Sequence, residues 1–68
     1  MTHNEMIIDY LKKYGSITPA EAYEKLGIMR LQARIHELRQ MGYNIVTELI
    51  RQRNRYGKTI TFAKYKLV

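Results

Sequence analysis

The sequence contains no cysteine and no tryptophan, and it has a single proline and a single phenylalanine. Without cysteine the chain has neither a disulfide framework nor a thiolate metal site, which suits a reducing compartment. Its two histidines, His3 and His36, are too far apart for the spacing of a metal-ligand pair. The composition therefore predicts a protein that uses no metal ion and no other cofactor.

Long apolar runs are also missing, because none approaches the roughly 20 residues that cross a bilayer. The first ten residues, MTHNEMIIDY, lack the basic stretch of a signal peptide and carry acidic residues early. No phosphate-binding glycine loop and no nucleophile–base pair is present. The sequence thus predicts neither a membrane protein nor an enzyme. We expect one domain, residues 1–68, of marginal stability, because chains this short bury only about 60% of their surface.

Acidic residues disappear after Glu48, although the net charge of the chain is +6. Residues 1–28 hold three Lys/Arg and four Asp/Glu, and residues 29–50 hold three and two. Residues 51–68 hold six Lys/Arg and no acid, so almost all the excess positive charge lies in the last quarter. Such an arrangement predicts one basic surface with a polyanion as its partner.

Three stretches show helical spacing of apolar residues, and a glycine follows each of them. A left-handed glycine often follows the end of a helix, so the glycines mark the expected helix ends. The second helix has the sharpest start, because Thr18 and Glu21 form a capping box with Pro19 between them. The predicted helices run from about Asn4 to Tyr14, from Pro19 to Leu26, and from just after Ile28 to Gly42. Three tyrosines are expected in or beside the core: Tyr10, Tyr14 and Tyr23.

After Gly42 the apolar period changes from that of a helix to that of a strand. Residues 43–53 and 59–67 alternate as two antiparallel strands, and residues 54–58, NRYGK, form the turn between them. Three helices followed by a hairpin predict an α+β fold, the winged helix-turn-helix, in which the hairpin is the wing.

The outer face of the third helix has side chains that suit a DNA major groove. If Leu31, Ile35 and Leu38 face the core, the other side chains of this helix point outward or lie on its flanks. Arginine can pair with guanine, glutamine with adenine, and alanine with a thymine methyl group. The alternative is an ordinary polar helix surface. The candidate DNA-binding residues of this helix are Arg30, Gln32, Ala33 and His36, with Glu37 expected on the face opposite the core.

The hairpin supplies a second set of candidates. Charged residues on exposed strands often serve only to prevent edge-to-edge aggregation. Here, however, the charges beyond Glu48 have one sign and cluster at the tip, where phosphates or a narrow minor groove are the better explanation. Tyr56 could contact a phosphate or sugar, or act as a turn residue. Lys64 and Lys66 either extend the basic strip or flank the base of the hairpin. The candidate residues of the wing are Arg51, Arg53, Arg55, Tyr56 and Lys58.

The sequence resembles a family of small winged helix-turn-helix DNA-binding proteins of phages and prophages. The resemblance covers nearly the whole chain and rests on the segments Gly15–Pro19, Leu26–Ile28, Arg34–Arg39, Gly42–Ile45 and Asn54–Lys58. It implies a winged helix fold, DNA binding, and a location in the cytoplasm or nucleoid of a bacterial host cell. The broader winged helix pattern has a capping Ser or Thr before the third helix, whereas this sequence has Met29 there.

Two kinds of function are compatible with these features. The first is sequence-specific binding of double-stranded DNA by a small phage-type regulator or architectural factor, acting as a homodimer or cooperative oligomer. The second is a phage inhibitor that docks on a host nucleic-acid enzyme, with Met6, Met29 and Met41 as adaptable contacts. RNA is a third partner to consider, but the sequence offers no aromatic platform for stacking single-stranded bases.

Overall fold

The first two helices begin with the same motif, a threonine followed three residues later by a glutamate. The computed structural model of the protein describes all 68 residues, with helices α1 at His3–Tyr14 and α2 at Pro19–Leu26. At the start of α2 the Glu21 N–H donates to the Thr18 hydroxyl and the Thr18 N–H donates to the Glu21 carboxylate. This confirms the predicted capping box. Thr2 and Glu5 make the same two bonds, so α1 begins one residue before the predicted Asn4.

Helix α3 spans Leu31–Gln40 and begins without a side-chain cap. The four residues before it, 27–30, form the turn of the helix-turn-helix. Gly27 has a φ of +70°, a left-handed conformation that lets the chain reverse directly after α2. Ile28 lies in this turn rather than in α3, yet its side chain is buried and anchors the turn to the core.

The hairpin consists of β2 at Ile45–Arg53 and β3 at Thr59–Leu67, with Ile45 opposite Leu67 and Arg53 opposite Thr59. The predicted hairpin is confirmed, although β2 begins two residues later than the predicted residue 43. A short strand that was not predicted, β1 at Ser16–Ile17, pairs antiparallel with the end of β3. The sheet therefore has three strands in the order β1-β3-β2.

The hydrophobic core lies between the three helices and the base of the sheet. All the buried residues are apolar, and the only polar side-chain group among them is the hydroxyl of Tyr65. Between Ile45 and Tyr65 no hairpin residue is buried, so the wing projects beyond the core and the molecule measures 39 × 21 × 21 Å. The core residues are Ile7, Ile8, Leu11, Ile17, Ala22, Ile28, Leu31, Ile35, Leu38, Ile45 and Tyr65.

The expectation for the tyrosines was wrong at two positions. Tyr14 is 68% exposed and Tyr23 is 60% exposed, whereas Tyr10 is half-buried as expected. The Tyr14 ring packs at a tilt of 46° against the Tyr10 ring, with ring centroids 4.6 Å apart, and leaves its remaining surface in solvent. Tyr23 follows buried Ala22, and one residue along a helix turns the side chain by about 100°, away from the core.

Candidate nucleic-acid interface

The four candidate residues of α3 lie together in one shallow depression of about 640 Å³. Arg30, Gln32, Ala33 and His36 line it, with contributions from Pro19, Met29 and Leu31. Since no acidic residue lines this depression, it could receive the edge of a polyanion. The structure thus groups the helix candidates on one surface, as the helical spacing predicted.

Glu37 is not on the fully exposed face where the spacing placed it. Its carboxylate accepts a hydrogen bond of 3.3 Å from the Asn4 side chain and pairs with Arg34 at 3.3 Å. These contacts join α3 to the start of α1 and leave Glu37 half-buried. The negative charge is therefore on the side of α3 that faces α1, away from Gln32 and His36.

The turn before α3 exposes an apolar side chain where many winged helices have a small capping residue. Met29 is 82% exposed, and Arg30 occupies the N-cap position without a side-chain hydrogen bond to the helix. Met29 and Arg30 therefore form a ridge at the leading end of α3. The departure from the usual pattern that the sequence showed at Met29 is thus visible in the structure as a missing cap.

The wing separates its positive charges onto two faces. Alternation along β2 places Arg51 and Arg53 on the same face. On that face they are paired across the sheet with Thr61 and Thr59 of β3. The other face carries Lys64 and Lys66, which are both half-buried near the base of the hairpin.

Lys66 is also engaged in an ion pair within the sheet. Its ammonium lies 2.8 Å from the Glu48 carboxylate. This lysine lowers the pKa of Glu48 below its usual value, since its hydrogen bond and charge stabilise the carboxylate. Of the two alternatives for Lys64 and Lys66, the structure thus favours flanking the hairpin base.

The tip of the wing is held by the side chain of Asn54. Its Oδ1 accepts hydrogen bonds from the N–H groups of Tyr56 at 2.9 Å and of Lys58 at 3.0 Å. The Gly57 N–H donates to the Asn54 carbonyl, and Gly57 has a φ of +78°, as a three-residue hairpin loop with a type I turn requires. Arg55 and Tyr56 are therefore displayed at the apex on an ordered loop.

A groove connects the wing with the start of α2. Gln52, Ile60 and Phe62 line it from the hairpin, and Thr18, Pro19, Ala20 and Glu21 line it from the other side. Pro19 also lines the depression of α3, so the two concave surfaces are neighbours. Arg51 and Arg53 lie on the opposite face of the hairpin from this groove. The groove therefore lies between the tip half of the wing and the start of α2, contains the acid Glu21 and no basic residue, and does not bring the candidate residues into one cleft.

Sequence reasoning missed two features of this surface, the bonds of Asn54 and the Arg34–Glu37 ion pair. Asn54 had a readable signal, because asparagine before a glycine-containing loop often bonds the backbone two residues further on. The Arg34–Glu37 pair also had a readable signal in the sequence, since charges three residues apart on a helix lie side by side. The contact of this pair with Asn4 of α1 could not be predicted from the spacing within α3.

No three His, Cys, Asp or Glu side chains come together where they could bind a metal ion. None of the helices combines the length and the apolar composition that crossing a membrane requires.

A helix-turn-helix whose second helix carries an acid-free depression, followed by a basic hairpin, defines a winged helix-turn-helix domain. A family model with that description, winged helix-turn-helix domain, matches residues 2–68, and the chain belongs to this family. Comparisons with curated proteins and with solved structures found no match. Because domains of this class bind DNA, family membership implies DNA as the partner.

Proposed function

We propose that this protein is a sequence-specific regulator that binds double-stranded DNA, with α3 in the major groove and the wing on the adjacent backbone or minor groove. The observation that carries the proposal is that Arg30, Gln32, Ala33 and His36 line one depression that has no acidic residue. The hairpin that follows this helix carries six Lys/Arg and no acid after Glu48. DNA, with its regularly spaced phosphates, is the polyanion that an extended surface of this kind fits.

On α3 the candidate side chains differ in what they can recognise. Arg30 can make a bidentate pair with guanine and Gln32 with adenine, and each such pair gives about 1–3 kcal/mol of discrimination. Ala33 can contact a thymine methyl group, and His36 can donate to a phosphate. These roles divide the helix into base-reading residues near its start and a backbone contact one turn later.

The wing supplies contacts that do not depend on sequence. Arg55 and Lys58 are exposed at or next to the apex, and Tyr56 is 84% exposed beside them. With Arg51 and Arg53 along the hairpin, we expect contacts to about four to six phosphates in all, and a slope of log K against log salt of roughly −4 to −5.

A salt titration of binding to a random-sequence duplex tests this proposal. The double variant Arg55→Gln, Lys58→Gln should weaken binding to all sequences and flatten the slope by about two. The matched control is Lys12→Gln, Lys25→Gln, which removes the same charge from residues that line neither the α3 depression nor the wing groove. Binding by the wild-type protein that does not depend on salt would contradict the proposal.

Few bases are within reach of one short helix, so we expect a homodimer or cooperative binding to repeated half-sites. The resemblance to phage and prophage proteins supports a phage-type regulator or architectural recombination factor, acting in the cytoplasm or nucleoid of the host. Selection of bound sequences from a random duplex pool, followed by footprinting, would identify the site and show whether it contains two half-sites.

A protein partner is the second candidate, and the exposed methionines favour it. Met29 is 82% exposed and Met41 is 64% exposed, and flexible methionine side chains suit adaptable protein surfaces. Under this alternative the domain would inhibit a host nucleic-acid enzyme by docking on it. Capture of such an enzyme in a pull-down, without any gel shift of duplex DNA at modest salt, would favour the alternative over DNA binding.

A further inference from the structure

A second depression, of about 370 Å³, lies on the other side of the leading end of α3. It shares Met29 and Arg30 with the first depression, so these residues form the ridge between the two. Its remaining walls come from the turn after α2, from the first residue of α1 and from α3. The lining residues are His3, Gly27, Ile28, Met29, Arg30 and Arg34.

The two depressions flank α3 because of the geometry of a helix. Arg34 follows Gln32 by two residues, which corresponds to about 200° around the helix axis. Gln32 and Arg34 therefore lie on opposite flanks of the same helix. A helix with its side chains is about 10–12 Å wide and the major groove is about 12 Å wide. A helix that enters the groove thus meets a sugar–phosphate backbone on each side.

The second depression has the charge to receive such a backbone. Two arginines and one histidine line it, and no acid does. Arg34 is ion-paired with Glu37 through Nη2, but a guanidinium has five N–H donors, so others remain for a ligand. Glu37 is itself fixed by Asn4, which helps to hold the Arg34 side chain in place on the helix surface.

We propose that this depression binds a phosphate of the DNA strand on the far side of the major groove from the wing, with Arg34 and His3 as the contacts. The inference rests on the proposed DNA-binding function and adds a second backbone contact to it. The helix would then be clamped between two strands, one contacted from the wing side and the other from the start of α1.

The Arg34–Glu37 pair allows a test based on the sign of the effect. Arg34→Gln removes the phosphate contact, so affinity for a random duplex of about two helical turns should fall about three- to tenfold, and the salt slope should flatten by about one. Glu37→Gln removes a carboxylate next to the same phosphate and keeps a side chain that can bond Asn4. Affinity of this variant should rise about two- to threefold.

If the pair were only structural, the two substitutions would break the same ion pair and would shift DNA affinity in the same direction or not at all. That result would overturn the inference. Thermal melting of each variant checks that it is folded. If Arg34→Gln does not fold, His3→Gln takes its place in the test, because His3 is exposed at the start of α1. This substitution should lower affinity about twofold.

The wing variants separate failure of this inference from failure of the proposed function. If the wild-type protein and Arg55→Gln, Lys58→Gln behave as expected but Arg34→Gln and His3→Gln bind like wild type, only the second backbone contact is wrong. If the wild-type protein shows no salt-dependent binding to the duplex, the DNA-binding function fails and the inference fails with it.

Discussion

Arg39, in the last turn of α3, donates a hydrogen bond of 2.9 Å from Nη2 to the hydroxyl of Thr47 on β2. Its Nε also donates to the carbonyl of Ile45 at 2.9 Å, and its guanidinium carbon lies 6.0 Å from the centre of the Tyr65 ring. One side chain thus links the helix to both strands of the hairpin. This link holds the end of α3 against the base of the hairpin.

Replacing Arg39 should loosen the wing as well as destabilise the fold. Arg39→Ala loses both hydrogen bonds and should lower the free energy of unfolding by about 1–3 kcal/mol, as measured by urea denaturation. Arg39→Lys keeps the charge but cannot make the two bonds of the planar guanidinium, so it should recover only part of the loss. Arg53→Ala, on the exposed wing, is the control and should change stability little. If Arg39→Ala had the same free energy of unfolding as the control, the link would not contribute to stability.

Removing the side chain that orders the wing tip should weaken DNA binding without changing charge. Asn54→Ala loses two acceptor contacts and should cost about 1 kcal/mol of stability. The apex should become more mobile in ¹⁵N relaxation, and affinity for duplex DNA should fall. Asn54→Asp keeps the acceptor but adds an acid, so it should hold the turn and still bind less tightly. Equal relaxation at Tyr56 in the wild type and Asn54→Ala would contradict this role.

Gln32 should affect sequence preference more than overall affinity. Gln32→Ala removes one of the proposed base-reading side chains from the α3 depression, and the preference at one base pair should relax by about 1–3 kcal/mol. Selection from a random duplex pool, done in parallel for the variant and the wild type, measures the change. Glu24→Ala on α2 serves as the control, because Glu24 lines neither surface of the interface. An unchanged preference at every position would exclude base reading by Gln32.

Tyr10 should make stability depend on alkaline pH. Burial raises the pKa of its hydroxyl above the ordinary value of 10.0, and the hydrogen bond of 3.1 Å to Glu21 adds to the shift. The unfolded chain therefore loses this proton first. The corresponding stability is fully present below pH 10.0 and is lost as pH rises through the higher folded value.

The variant Tyr10→Phe provides the comparison for that prediction. It should be about 1 kcal/mol less stable than the wild type at neutral pH, because the bond to Glu21 is gone. Thermal melting of both proteins in buffers on either side of pH 10.0 measures the difference between them. The difference should shrink as pH rises, and a constant difference would show that Tyr10 is not the group responsible.

The fold was predictable where one short motif determines the local structure. Thr18, Pro19 and Glu21 placed the start of α2 at the correct residue because a capping box needs only neighbours in sequence. The same motif at Thr2 and Glu5 was overlooked, since the apolar stripe of α1 begins later than its cap. Strand β1 could not be read from periodicity, because two residues are too few to show alternation.

For the candidate site, the sequence predicted which residues share a helix face but not the contacts that they make with other elements. Helical spacing grouped Arg30, Gln32 and Ala33, and the structure places them in one depression. The position of Glu37 depended on Asn4, a residue on another helix, so spacing within α3 alone gave the wrong exposure. For the same reason the sequence did not reveal the role of Arg39, whose partners belong to the sheet.

Strand β1 has a further consequence for how the chain acquires its structure during synthesis. Ile17 is fully buried, and its partner across the sheet is Tyr65, near the opposite end of the sequence. On the ribosome the three helices can form early, but this side chain lacks its neighbour until β3 has left the exit tunnel. Closure of a contact this distant in sequence is slow compared with helix formation. The nascent chain therefore exposes an unfinished apolar surface until β3 has emerged and paired with β1.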